Sequence, residues 1–343
     1  MIHPKRLAKQ FKVMACLGIA ILASIGVTIV SSQAYAQVVE RGKPLKAVRF
    51  ADQIGSEVDY AHIWVAEALG YFAEEGIRIE RKTYSSGPEG LLHFANGEID
   101  MMVGGLAPFM QAAARGQDFK MLLSVTKYNA PLVGRKEFKS YKDLDGRKVG
   151  TPGLGTVQDA VLAYVEKTQG LKFQRIFAKV SDFAVMAEKR EIDAFISWEP
   201  AAALAIRQNP QLHYVAQLPP IKNAESLQLI AHPSFVKQNP DVVYGFIRAT
   251  IRGMHFIQNN PAEKVAEIVA KKMNDPSAVP VVLSAMKSVL LTDPRVDMPS
   301  TRLILQAIID AGKIPATFGK DIDKWMAKYL DYSFLENAEK SLR

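Results

Sequence analysis

Cysteine is all but missing from this 343-residue chain, Cys16 being the only one. Disulfides, cysteine-ligated zinc and thiol catalysis are thereby excluded from everything downstream of that position. Histidine is sparse as well. The six present, at 3, 62, 93, 213, 232 and 255, form no metal-ligand spacing such as His-Glu-x-x-His. No Walker A sequence occurs, and Gly153-x-Gly155 lacks the third glycine of a dinucleotide fingerprint, Gln158 standing in its place. Ser124-Val125-Thr126-Lys127 matches a Ser-x-x-Lys pair, but the Ser-Asp-Asn and Lys-Thr-Gly companions that would give it meaning are absent. Beyond the first 12 residues positive charge is not clustered either: the net charge of +4 there is spread along the chain, which excludes a nucleic-acid footprint. With 48% hydrophobic and 9% aromatic residues the chain is neither disordered nor of low complexity, and its length predicts about two domains.

Acidic residues are missing from the first 36 positions, which carry Lys5, Arg6, Lys9 and Lys12. An apolar run over 13–30 follows, then Ser31-Ser32-Gln33 and Ala34-Tyr35-Ala36. A basic start, an apolar stretch and a small-x-small end read as a signal peptide cleaved after Ala36. A retained anchor is the competing reading, the run being barely long enough to span a bilayer. A lipidated cysteine is excluded, because Cys16 opens the apolar run instead of following it. Cleavage removes four cations, leaving a net charge of +4 and an exported protein of the periplasm without cysteine.

The middle of the chain repeats itself. Residues 98–104 read Glu-Ile-Asp-Met-Met-Val-Gly and residues 191–197 read Glu-Ile-Asp-Ala-Phe-Ile-Ser, each a short apolar strand entered through Glu-Ile-Asp. Strand-like 78–84 before Ser85-Ser86-Gly87-Pro88 matches 173–180 before Ser181-Asp182, and 47–51 before Gly55-Ser56 matches 148–151 before Gly153-Leu154-Gly155-Thr156. Helical patterns fill the gaps at 61–69, 90–95, 107–115, 156–168, 183–189 and 200–208. Each half therefore reads β-α-β-α-β with a further helix, the mark of a parallel sheet with crossover helices. Beyond 241 the chain reads as helical, at 242–257, 262–273, 279–291, 301–311 and 322–332, and strand-like 226–231 is placed to return to the first sheet.

Ligands of open α/β sheets bind beyond the carboxyl ends of the strands, where loops enter helices. Two such lobes make a cleft rimmed by helix N-termini, with Pro88, Pro108 and Pro200 fitting the first helical position and Thr156-x-x-Asp159 fitting a capping box. The loops 54–60, 84–90, 104–109, 153–159, 181–185 and 197–200 hold no Lys or Arg but do hold Glu57, Asp59, Glu89, Asp159, Asp182 and Glu199. A multivalent anion is disfavoured, and a monoanion, a zwitterion or a polar heterocycle fits better. Acids at helix starts are ordinary. Glu199 differs because it follows Trp198 in a loop, and an aromatic plane beside a carboxylate suits an amine or ring nitrogen. Core packing is the equal alternative for Trp198, and His62, in the first turns of its helix, is either a cleft residue or a structural one.

The segment 60–80, Tyr-Ala-His-Ile-Trp-Val-Ala-Glu-Ala-Leu-Gly-Tyr-Phe-Ala-Glu-Glu-Gly-Ile-Arg-Ile-Glu, resembles the opening of solute-binding proteins of ABC importers, the nitrate/sulfonate/taurine type related to thiamine-pyrimidine binders. Residues 97–100, 144–149, 155–159 and 192–200 continue the similarity, which covers nearly all of 45–335. The resemblance implies a type II periplasmic binding fold: two α/β lobes (45–134 with 226–343, and 135–225), two crossover strands and closure about a hinge. It implies a monomer that delivers a small-molecule ligand to a membrane permease driven by an ATPase, meets the membrane only through that permease, and uses no cofactor or metal. Position by position it implies ligand contacts at Ser56, Tyr60, Ser86, Gly87, Gly105, Thr156, Gln158, Trp198 and Glu199. A pyrimidine synthase resembles the same group but carries a cysteine-rich motif that this chain lacks; a receptor-docking ligand sensor is the other alternative.

Overall fold

The computed structural model describes residues 44–84, 87–290 and 293–343. The signal-like segment and Ser86 lie outside the described residues. Strand β1 (Lys46–Gln53) is followed by helices α1 (Ala61–Ala68) and α2 (Tyr71–Glu74), strand β2 (Ile77–Tyr84), α3 (Gly87–Ala95), β3 (Met101–Gly105) and α4 (Leu106–Ala114). Then come β4 (Lys120–Tyr128) and β5 (Leu132–Arg135), and the pattern repeats: β6 (Lys148–Thr151), α5 (Val157–Gln169), β7 (Gln174–Phe177), α6 (Phe183–Glu188), β8 (Ala194–Ile196), α7 (Ala201–Gln208). Strand β9 (Leu212–Ala216) and strand β10 (Glu225–Ala231) lead into α8 (Pro233–Gln238), α9 (Pro240–Asn259), α10 (Ala262–Lys272) and α11 (Val279–Ala285). The last elements are β11 (Val289–Leu290), α12 (Met298–Asp310), α13 (Ile322–Ala327) and α14 (Ser333–Ser341).

Two mixed sheets result. The first runs β11-β4-β10-β3-β1-β2 and the second β7-β6-β8-β5-β9. Within each, the parallel trio has the same order (β2-β1-β3 and β7-β6-β8), and a strand arriving from elsewhere, β10 or β5, lies antiparallel beside the third. The strand over 226–231 does return to the first sheet, as its position in the sequence suggests. The passage between sheets falls at 129–131, since β5 already belongs to the second sheet, a few residues ahead of the expected boundary at 134.

The Glu-Ile-Asp repeat has a shared physical cause. Ile99 and Ile192 are buried, and each following aspartate closes the open end of the neighbouring strand. Asp100 accepts from the Arg49 backbone N–H at 2.8 Å and from its guanidinium. Asp193 accepts from the Lys148 backbone N–H at 3.1 Å and from the Arg135 guanidinium at 2.7 Å. Two equivalent strand pairs are thus pinned in register by equivalent carboxylates.

Helices cover both faces of the first sheet, and the strands show it by alternation. Phe50, Met101, Val103 and Leu229 pack under α1, α9 and α14, whereas Ala51, Met102 and Ile230 pack with α4, α12 and α13. The 242–257 pattern is realised in α9, where Val243, Phe246, Ile247, Thr250, Ile251 and Met254 repeat at helical spacing and are buried. Burying one such aliphatic side chain stabilises by roughly 1.5–3 kcal/mol. Where α9 crosses α1 the helices almost touch: a Cβ on Gly253 would lie 2.1 Å from the His62 carbonyl oxygen. The C-terminal helices also grip the second lobe. Ile304, Leu305 and Ile308 of α12 share one core with Val157, Val161 and Val165 of α5, and Val281 and Val282 of α11 share another with Ala203 of α7.

Three expectations need correction. The helix over 279–291 is shorter, ending as α11 with a 3-10 turn and then β11, which hydrogen-bonds to β4. The helix over 322–332 ends early, as α13 at Ala327, and the next helix, α14, begins only at Ser333. None of the three prolines holds the first helical position: Pro88 is second in α3, Pro108 is third in α4, and Pro200, reached through a cis peptide bond, is the N-cap of α7.

Candidate functional site

A cleft of about 890 Å3 opens where the loops of the two sheets face each other. One wall comes from the first lobe: Gln53, Ile54, Gly55 and Ser56 after β1, Gly87 at the start of α3, and Gly105 and Pro108 at the start of α4. The opposite wall comes from 152–158, from 177–181 after β7, and from Trp198 and Ala201 at the start of α7. Asn129 of one crossover, and Ser226 and Leu227 of the returning strand, form the floor. Much of this surface is apolar, with Ile54, Leu154 and Phe177 half exposed at the rim.

The wall at 153–158 is built by capping. Thr156 is the N-cap of α5, its Oγ1 accepting from the Asp159 N–H at 3.2 Å while its hydroxyl donates to the Gly153 carbonyl at 2.8 Å. Asp159 returns a bond to the Gly155 N–H at 2.9 Å, one residue earlier than an ideal capping box, and is itself held by Arg175. Gly155 has φ +81°, a conformation that favours glycine. Gln111 of α4 reaches across and donates to the Gly155 carbonyl at 2.8 Å, so a first-lobe side chain steadies a second-lobe loop.

Of the residues expected at the ligand, the structure brings together Ser56, Gly87, Gly105, Thr156, Gln158 and Trp198 on the cleft surface. It does not bring Tyr60, His62 or Glu199 there. Tyr60 is buried under β1, its hydroxyl donating to the Gln53 carbonyl at 2.7 Å. His62 is fully buried beneath α9 with both ring nitrogens lacking a partner, and burial pulls its pKa down to about 3. Glu199 is fully buried, and its carboxylate is spent inside: Oε1 accepts from the Tyr214 and Ser288 hydroxyls, both at 2.8 Å, and Oε2 from the Ala203 N–H at 3.1 Å. Burial raises its pKa. The amine receptor expected at Trp198-Glu199 therefore reduces to the indole, whose Nε1 is buried with no partner in the protein.

Three other loop acids also turn away. Glu57 accepts from the Gly55 N–H and Asp159 caps α5. Asp59 is buried against Asn129, and burial together with nearby Glu199 raises its pKa well above the ordinary carboxylate value. Among the described lining residues there is no carboxylate and one cation, Lys179. Of the lining residues missed from sequence, two bear on the chemistry. Lys179 lies two positions before the stretch read as a loop, because β7 ends at Phe177 and the cleft-facing segment starts there. Asn129 lies on a crossover that the strand pattern did not reveal, although its place between the apolar runs of 121–125 and 131–133 was a usable signal.

Two α/β lobes with a ligand-sized cleft between them define the type II periplasmic binding fold. Solved structures with that architecture match closely in shape. The nitrate-binding protein NrtA from Synechocystis has a TM-score of 0.69 at 17% identity, covering 87% of this chain and 89% of that one. The aliphatic sulphonate-binding protein SsuA from Escherichia coli has 0.65 at 18% identity, covering 79% and 94%. By sequence the chain belongs to the NMT1/THI5-like family, whose model matches residues 57–264. Among curated relatives, binding proteins of Brucella abortus and Brucella melitensis are 25% identical over 241 residues, 66% of this chain and 74% of theirs. A formylaminopyrimidine-binding protein of Halalkalibacterium halodurans is 22% identical over 220 residues, 60% of this chain and 64% of its own.

Proposed function

We propose that this chain is the exported solute-capturing component of an ABC importer, and that its ligand is a small organic anion with an apolar body, an organic sulfonate before nitrate or taurine. The observation that carries this reading is the lining of the cleft: among the described lining residues, extensive apolar surface, one lysine, no carboxylate and an unpaired indole N–H. Indole Nε1–H is a donor only, so it calls for an acceptor on the ligand. An ammonium group, as in taurine, finds no carboxylate on these walls. A bare nitrate leaves the apolar walls uncovered.

Capture works by population shift. A ligand touching both walls binds the closed arrangement better than the open one, and the closed form is what a permease and its ATPase recognise. Cleavage after Ala36, a periplasmic location and a monomeric state belong to the same reading. So does a binding rather than catalytic role, although a pyrimidine phosphate synthase of Aspergillus parasiticus is 23% identical over 232 residues. A second reading, an uncharged pyrimidine whose ring nitrogen accepts from Trp198, is favoured by the formylaminopyrimidine-binding relative.

A thermal-shift panel on protein refolded to strip any carried ligand tests this. At 100 times Kd a ligand adds about 2.7 kcal/mol and raises the melting temperature by a few degrees. Alkane- and arylsulfonates should shift it, with taurine and nitrate weaker. A shift with aminopyrimidines alone supports the second reading, and a shift with nitrate alone refutes the argument from the walls.

A further inference from the structure

Asn129 sits on the segment that carries the chain from the first sheet to the second, and it is 1% exposed. All its polar contacts reach across that passage. Its Nδ2 donates at 2.6 Å to Asp59 of the first lobe. Its Oδ1 accepts at 2.9 Å from the backbone N–H of Glu199, and its carbonyl accepts at 3.0 Å from the Gln158 side chain, both of the second lobe. The partners belong to both walls of the cleft, Asp59 to one and Glu199 and Gln158 to the other. Ser56 accepts the Asp59 N–H at 3.0 Å, Trp198 is the residue before Glu199, and Gln158 lines the cleft itself.

We propose that Asn129 is a positioning residue for ligand capture, a pin at the pivot through which one side-chain amide fixes the mutual orientation of the two cleft walls. Only an amide serves both side-chain partners, the Gln158 bond being made by the backbone carbonyl. Asp59 Oδ2 needs a donor and the Glu199 N–H needs an acceptor, and the carboxamide supplies both from one planar group. The Asp59 carboxyl has no other partner for its side chain, its Oδ1 standing unpaired in the interior, so the first-lobe half of the pin has no substitute. Aspartate at 129 loses the donor and sets a third buried acid beside Asp59 and Glu199. Alanine loses both side-chain bonds and keeps only the backbone bond to Gln158. Bonds that stay within one lobe do not have this consequence: the Thr126 hydroxyl donates to the Asp59 carbonyl and ties α1 to β4, on the same side of the pivot.

This inference rests on the cleft being the ligand site, yet its main test needs no ligand. Because Cys16 is the only cysteine, the full chain with Cys16→Ser accepts a clean pair of spin labels at exposed Lys82→Cys in the first lobe and Lys189→Cys in the second. Interlobe distances are then measured by double electron–electron resonance in ligand-free protein. Asn129→Ala and Asn129→Asp should broaden and displace the distribution, while Thr126→Val lowers the melting temperature and leaves the distribution in place. If Asn129→Ala fails to fold, Asn129→Ser, which still offers Asp59 a hydroxyl but leaves the Glu199 N–H bare, should broaden it alone. An unchanged distribution in the Asn129 variants overturns the proposal, whatever the ligand proves to be. With a ligand from the panel, affinity should fall about tenfold or more in Asn129→Ala and stay near wild type in Thr126→Val. Equal losses in both variants would make Asn129 an ordinary stabilising residue and contradict the pin. A panel with no binder refutes the proposed ligand class and leaves the distance result to judge Asn129.

Discussion

His62 makes stability depend on pH in a direction the structure fixes. Its imidazole lies wholly buried under α9, with neither nitrogen bonded, and burial lowers its pKa to about 3. In the unfolded chain an ordinary histidine titrates near 6.5, so below that pH the unfolded state takes up a proton that the folded state refuses. Stability is therefore lost as pH falls through 6.5, and between pH 7 and 5 the loss from this one group is about 2 kcal/mol. Buried acids act with the opposite sign. Asp52, raised to about 6 by a burial that outweighs its pairing with Arg81, takes up a proton earlier when folded and offsets part of the loss. The difference between two chains isolates the histidine. His62→Leu keeps a similar volume and has nothing to protonate, so urea unfolding of both proteins at pH 8, 7, 6 and 5 should show their stabilities diverging by about 2 kcal/mol over the lower two units. Parallel curves would refute the reasoning, since they would require a solvated or bonded imidazole.

Three further outcomes follow from contacts at and around the cleft. Trp198→Phe keeps an aromatic ring but deletes the unpaired Nε1–H together with part of the indole, so ligand affinity should fall about three- to tenfold or more, read by calorimetry. Glu199→Gln turns an amide N–H toward one of three donors and should cost about 1–3 kcal/mol of stability, without altering the preference between amine and non-amine ligands. A preference that changes would place this side chain at the ligand after all. Gly253→Ala puts a methyl 2.1 Å from the His62 carbonyl and forces α9 off α1, a loss of about 3 kcal/mol in denaturant unfolding.

The two-lobe plan was legible because local signals and global fold agree. The repeated Glu-Ile-Asp marks the same strand in both lobes, since the aspartate must cap a neighbouring strand in each. Thr156-x-x-Asp159 announces the start of α5 through bonds spanning three or four residues. The direction in which side chains face was less legible. Glu199 looks like a ligand group beside Trp198, and nothing local shows that Ser288, 89 residues away, will absorb its charge. Tyr60 and His62 sit on a helix that is apolar nearly all round, so the pattern does not say which face meets the cleft. Asn129 acquires its meaning only when two sheets meet on either side of it.

The central claim is that the cleft holds a small organic anion, with Lys179 supplying the only positive charge among its described lining residues. Calorimetric titration of wild type and Lys179→Gln with the best sulfonate of the panel tests it directly. Saturable one-to-one binding is expected, with affinity in Lys179→Gln lower by about tenfold or more, the worth of a charge-assisted bond, and falling further with salt in wild type than in the variant. Equal affinity and equal salt dependence in the two proteins would contradict the account.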